Sequence, residues 1–224
     1  MGKRVVRPSI SISRGWLAPI AILSGFFVTF APSAGLPVGV AALLGAVGGT
    51  ASLFVHELGH VRAARRAAGI HSATVTLMWL GAATRFEGRY ANGREQAKVA
   101  LGGPTASFSL ALALLACCFA PVPHMLRDML LALALFNIVL GVVNLVPVYP
   151  LDGYKLVVGL LWSVTGSERQ ARRILRRVAM GLAALELPAA ALLLAQKPVL
   201  GAFVVTIAGC WWLVHKRRAR AAAT

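Results

Sequence analysis

Two histidines four residues apart, the first followed directly by a glutamate, stand in this chain as His56-Glu57-Leu58-Gly59-His60. On an α-helix residues i and i+4 share a face, so both imidazoles can present a nitrogen to one Zn²⁺ while Glu57 stands beside the metal as a general base. The chemistry this suits is peptide hydrolysis, with a metal-activated water and a carboxylate to take its proton. The setting is unusual for such a site. From Leu36 to Leu58 there is no Lys, Arg or Asp, and the ionisable side chains of that run are those of the motif itself. The metal would then be held below a membrane surface.

A catalytic zinc takes three protein ligands and keeps one position open, so a third His, Asp, Glu or Cys is required at the same depth. Of the seven acidic residues, Glu87, Glu95, Asp128 and Glu168 fall in loops or at the ends of apolar runs, which leaves Asp152 and Glu186 besides Glu57. His71, His124 and His215 also lie near boundaries of apolar runs. Asp152 closes the segment Asn144-Leu145-Val146-Pro147-Val148-Tyr149-Pro150-Leu151-Asp152-Gly153. Its two prolines cannot continue a regular helix and free backbone to line a polar cavity, so a carboxylate there can be aimed at a metal. Glu186 lies inside an apolar run, two residues before Pro188. An ionisable group in that place should face protein or water. Either it is protonated and bonded to a neighbouring helix, or with Pro188 it forms a movable wall through which a substrate helix reaches the metal.

The elements that must position these residues are membrane helices. With 58% hydrophobic residues and a mean hydropathy of +0.74, the chain is too apolar for an ordinary soluble domain. Six segments are long enough to cross about 30 Å of hydrocarbon, allowing for tilt: Gly15–Ala34, Leu36–Ala64, Gln96–Ala120, Met125–Tyr149, Val178–Ala195 and Val199–Val214. The net charge of +16 could indicate nucleic acid, but its distribution decides otherwise. With six spans, 21 of the 23 Lys and Arg fall on the side that carries both termini, and Arg127 and Lys197 are left for the other. That asymmetry predicts cytoplasmic termini in the cell membrane. Basic residues strung along every inner loop do not make a nucleic-acid recognition element.

Cys117, Cys118 and Cys210 all fall in apolar runs, two of them adjacent, where a mutual disulfide would be strained; they read as small core residues. The first apolar run continues to spanning length without a cleavage site, so it is expected to remain in the mature protein. His71–Glu87 mixes β-formers with Trp79 and Gly81 and is too short to span; it predicts a re-entrant strand or hairpin beside the zinc helix. Ser163–Arg177 places Arg169, Arg172, Arg173, Arg176 and Arg177 on a helix-forming stretch at the inner surface. The fold expected is an all-α polytopic membrane protein of about six transmembrane helices with a short re-entrant β segment near the zinc. It forms one domain over residues 1–224, with a core at about 36–153 and a C-terminal helix pair at about 178–214.

The pair HELGH and NLVPVYPLDG resembles the double signature of the site-2 protease family of intramembrane zinc metalloproteases, HExxH followed by NxxPxxxxDG. The resemblance covers about Leu36 to Gly153 and is far more specific than HExxH alone. It implies His56, His60 and Asp152 as ligands of one Zn²⁺ per chain, Glu57 as catalytic base, and Asn144 near the substrate or the developing oxyanion. Gly102-Gly103-Pro104-Thr105-Ala106-Ser107 is similar to the family's glycine-proline element, with Ser107 where asparagine is often found. Gly102 and Gly103 also have a plain structural use, since small residues let membrane helices approach closely. The PDZ or nucleotide-sensing modules of some members have no counterpart here, so the resemblance is to a catalytic core whose regulator would be a separate protein. The family implies as substrate a transmembrane segment of another membrane protein, unwound locally and held as an extended strand by the His71–Glu87 edge. A transporter or metal-permeation path would instead spread its ligands through the membrane. A catalytically silent homologue would lack one of the four chemical positions, and all four are filled.

Overall fold

A computed structural model describes residues 8–30, 35–78 and 81–178. The chain divides into two compact units, Met1–Leu160 and Leu161–Thr224. Glu186, Pro188, Cys210, His215 and the expected C-terminal helix pair beyond residue 178 lie outside the described residues.

The first unit opens with strand β1 (Pro8–Ile12), a 3₁₀ turn (Arg14–Trp16) and helix α1 (Leu17–Phe30). Helix α1 falls within the expected first span, Gly15–Ala34, of which residues 31–34 lie outside the described residues; the strand before it is joined to a sheet. Next comes a continuous apolar helix over Val38–Ala64, with α2 (Val38–Leu43), a π-helical turn (Leu44–Gly49) and α3 (Thr50–Ala64) in succession. The wide turn holds Gly45, Gly48 and Gly49. A Cβ on Gly45 would fall on the Leu23 carbonyl, and one on Gly48 would lie 2.7 Å from Leu133. The glycines thus admit α1 on one side and a later helix on the other. Phe27, Leu36, Ala41 and Leu44 form the buried cluster there, with Leu133 and Phe136 against it.

After α3 the chain turns into strands β2 (Ile70–Met78) and β3 (Gly81–Gly88), antiparallel to one another, so the expected hairpin is present. The sheet has three strands in the order β1-β2-β3, with β1 parallel to β2. The described residues are therefore mostly helical with a small mixed sheet, where a largely all-α fold was expected. Alternation aims one face of the hairpin at α3: Ala73, Val75 and Phe86 pack on Val61 and Phe54. The order of the sheet leaves β3 as an edge strand.

Helices α4 (Gly93–Cys117) and α5 (His124–Asn144) follow, and with Val38–Ala64 they are the three described helices long and apolar enough to cross a membrane. Asn92 caps α4, its side chain accepting from the Glu95 N–H at 2.9 Å. Their outward faces carry exposed Leu112, Leu135 and Val142, residues that suit contact with lipid chains and not with water. A loop over residues 145–151 leads into α6 (Asp152–Thr165), a 14-residue apolar helix that the six expected spans did not include. In the second unit residues 168–178 are helical, as the Ser163–Arg177 stretch predicted, with Glu168 and Arg172 ion-paired one turn apart.

Candidate metal centre

The close crossing of α3 and α4 sets the site. Gly59 and Gly102 face one another so tightly that a Cβ on Gly59 would strike the Gly102 carbonyl, while one on Gly102 would lie 2.5 Å from the Gly59 carbonyl. Small residues on both helices bring the two backbones together, and the histidines one turn apart on α3 then point into the seam. Both are buried, as are Glu57 and Asp152.

Asp152 arrives from the first turn of α6. Its position depends on Gly153, where a Cβ would fall on the Leu145 and Val146 carbonyls at the end of α5. Only a glycine lets the loop fold that closely over α5, which explains physically why the aspartate is followed by glycine. Asp152 Oδ2 lies 3.1 Å from His56 Nε2 and 2.8 Å from His60 Nε2. One donor atom from each of the three residues lies within 4.8 Å of the other two. Of the described candidates for a third donor, Asp152 is the one brought to the histidines, while His71 and His124 join no such group; Glu186 and His215 lie outside the described residues.

The outer nitrogens of both rings are engaged elsewhere. His60 Nδ1 lies 2.8 Å from the Val99 carbonyl, which makes it the protonated nitrogen and leaves Nε2 with a lone pair. The Gly103 N–H is 3.2 Å from the same Nδ1, and the shorter carbonyl contact is the one that decides the tautomer. Pro104 follows directly, and a proline inside a helix removes one backbone bond, which loosens the turn where these two groups face the ring. His56 Nδ1 lies 2.9 Å from Ser107 Oγ, a hydroxyl that is fully buried. Ser107, whose contact was open in the sequence, thus fixes the first histidine.

A donor set of two imidazoles and one carboxylate suits zinc, and the separations from Asp152 Oδ2 are close to the edge of a zinc tetrahedron, about 3.3 Å. Gly103 supplies an independent test. A Cβ there would lie 2.5 Å from His56 Nε2 and closer still to His60 Nε2. The helix α4 therefore presents bare backbone to the two nitrogens, and any side chain would fill the place that a metal needs. The remaining carboxylate oxygen, Asp152 Oδ1, accepts from Lys155 Nζ at 2.9 Å.

Glu57 meets the sheet. Thr84, on the face of β3 that turns to α3, donates its hydroxyl to Glu57 Oε2 at 2.6 Å. Asn144 ends α5 with its amide donating to the Leu140 carbonyl at 2.9 Å, and the structure does not bring it into hydrogen bonding with the histidine–aspartate group. Thr84, Lys155 and the metal-facing role of Gly103 went unnoticed in the sequence. An aspartate that opens a helix does place the residue three positions on beside it, so Lys155 had a local signal. Thr84 had only the alternation of its strand.

The family model of peptidase family M50 matches residues 120–185, which hold Asn144 and Asp152. Rip3 of Mycobacterium tuberculosis, named as a zinc metalloprotease, is 38% identical over 144 residues, or 61% of this chain and 36% of its own length. The protein sll0528 of Synechocystis, also named as a zinc metalloprotease, is 30% identical over 166 residues, or 74% of this chain and 43% of its own length. The chain thus spans less than half the length of the curated relatives it matches. The fold resembles that of the site-2 protease from Methanocaldococcus jannaschii, with a TM-score of 0.57 and 18% identity, over 94% of this chain and 90% of that one. The chain is thus similar to peptidases of family M50 and to zinc metalloproteases, and it has the fold of a site-2 protease.

Proposed function

We propose that this chain is the catalytic part of an intramembrane zinc endopeptidase that hydrolyses peptide bonds within or next to transmembrane segments of membrane-protein substrates, in regulated intramembrane proteolysis. The observation that carries it is the convergence of His56, His60 and Asp152 beside Glu57, on a helix apolar and long enough to cross a membrane. Donors gathered at one point favour hydrolysis over a permeation path, which needs them along a route.

In this reading His56, His60 and Asp152 hold the zinc, and residues 36–153 carry the catalytic core of a single membrane domain. The bound metal would supply Lewis acidity, activating water and polarising the scissile carbonyl. Glu57 takes the proton of the attacking water as its oxygen bonds to the carbonyl carbon, then delivers it to the leaving amine as the C–N bond breaks. Ser107 and the Val99 carbonyl keep each imidazole turned with Nε2 inward. Asn144 is proposed as a contact for the substrate or the oxyanion, and Glu186 with Pro188 as a gate.

A helical substrate hides its carbonyls and has to be unwound before attack. Among the described residues β3 is an edge of the sheet, beside Glu57, which supports the proposal that the unwound segment pairs there as a further strand. The partners proposed are such a segment, the lipid bilayer and a separate regulatory protein. The location proposed is the cell membrane with cytoplasmic termini. The test is proteolysis in liposomes of a single-span substrate, with and without a chelator. Cleavage inside the span that zinc restores after chelation is expected; transport of a metal without cleavage would overturn the proposal.

A further inference from the structure

The proposed protease reading gives Glu57 a task, but a glutamate has three side-chain torsions and must keep its carboxylate within hydrogen-bond reach of the water it deprotonates. Nothing on α3 itself is bonded to that carboxylate. Among the described residues the Glu57 carboxylate has one hydrogen bond, from Thr84 Oγ1 at 2.6 Å, and the donor belongs to a different element, strand β3. Accepting that proton occupies one lone pair of Oε2 and fixes the plane of the carboxylate, while Oε1 accepts no hydrogen bond from the described residues and is the freer oxygen to take the proton of the water. We propose that Thr84 is a positioning residue for the general base, holding Glu57 by one oxygen so that the other faces the reacting atoms.

Three features set this contact apart from chance contact between a helix and a sheet. The first is that the sheet does not need it: Ala73, Val75 and Phe86 already fasten the hairpin to Val61 and Phe54 through an apolar cluster. Thr84 pairs across the hairpin with fully buried Val75 and shares its face, so it is the polar member of an otherwise apolar surface. A valine would fit that surface at least as well. The second is the length, 2.6 Å, which is that of a hydroxyl bonded to a charged carboxylate. The third is the strand. β3 is the edge to which an extended substrate would add, so one element would hold the base and align the bond that it serves.

The inference rests on the protease reading, and the experiment separates the two. The full chain, in detergent micelles, is assayed on a soluble fluorogenic peptide, with zinc measured per chain by elemental analysis. Thr84→Val keeps shape and removes the hydroxyl; Thr84→Ser keeps the hydroxyl and removes a methyl. Thr84→Val should retain its zinc and its KM and lose about 10- to 100-fold in kcat, the scale of a misplaced catalytic group. Thr84→Ser should recover to within a few-fold of the unmodified enzyme. A residue that acts through Glu57 has nothing left to position once the base is gone, so Glu57→Gln with Thr84→Val should be no slower than Glu57→Gln alone. A kcat for Thr84→Val within twofold of the unmodified enzyme, a Thr84→Ser variant as slow as the valine, or a further loss in the double variant would each overturn the proposal while leaving the protease reading intact. An unmodified chain that cleaves nothing, or a Glu57→Gln variant that is fully active, would overturn both.

Discussion

Ser107 Oγ on α4 and His56 Nδ1 on α3 lie 2.9 Å apart in a fully buried contact. This is the contact that turns the opposite nitrogen of His56 toward Asp152. Partners of this kind typically affect metal affinity by about 10- to 100-fold. Ser107→Ala should weaken zinc binding by about that factor, read as the competing chelator concentration that removes half the metal. Affinity equal to that of the unmodified chain would mean that His56 needs no help from α4.

The third ligand is tested by removal. Asp152→Ala should lose zinc as well as activity, since two histidines bind the metal weakly and leave its geometry undefined. His124→Ala, at the far end of the sequence of α5 from Asn144, should keep both. Elemental analysis of the two purified variants decides it, and full occupancy in Asp152→Ala would exclude this carboxylate.

Gly103→Ala gives the sharpest test of the seam between α3 and α4. In most helix interiors alanine is favoured over glycine by about 0.5–1 kcal/mol. Here the added methyl falls among the histidine nitrogens. The expected outcome is a chain with unchanged helical circular dichroism and little or no bound zinc. Normal zinc content would show that α4 stands further from the histidines than the structure has it.

The charge asymmetry makes a topological prediction. Reporters placed after Ala91 and at Thr224 should lie in the cytoplasm, and one near Pro123, between α4 and α5, should be external. An external reporter after Ala91 would reverse the orientation.

Much of the site was legible because its rules are local. Spacing of four on a helix put His56 and His60 together, and the two prolines before Asp152 announced a break in the chain that could carry a carboxylate inward. β-formers around Thr74 and Val75 announced the hairpin. What stayed hidden depends on partners distant in sequence. Pro8–Ile12 has nothing to distinguish it from a loop until β2, over sixty residues on, offers it a parallel edge. The short helix α6 fell between a broken segment and a basic one. The contacts of Ser107, Gly103 and Thr84 follow from how closely two helices cross and which face of a strand meets them, and neither can be read from spacing within one element.

The most direct test of the central claim separates metal binding from chemistry in one residue. Glu57→Gln removes the proposed base and no ligand, so zinc per chain and the rate of cleavage of a transmembrane substrate are measured on the same preparation. The expected result is about one zinc per chain with activity reduced by 10²-fold or more, a loss on the order of that for a general base. Activity close to that of the unmodified chain, with zinc in place, would contradict the assignment of Glu57 and with it the proposed mechanism.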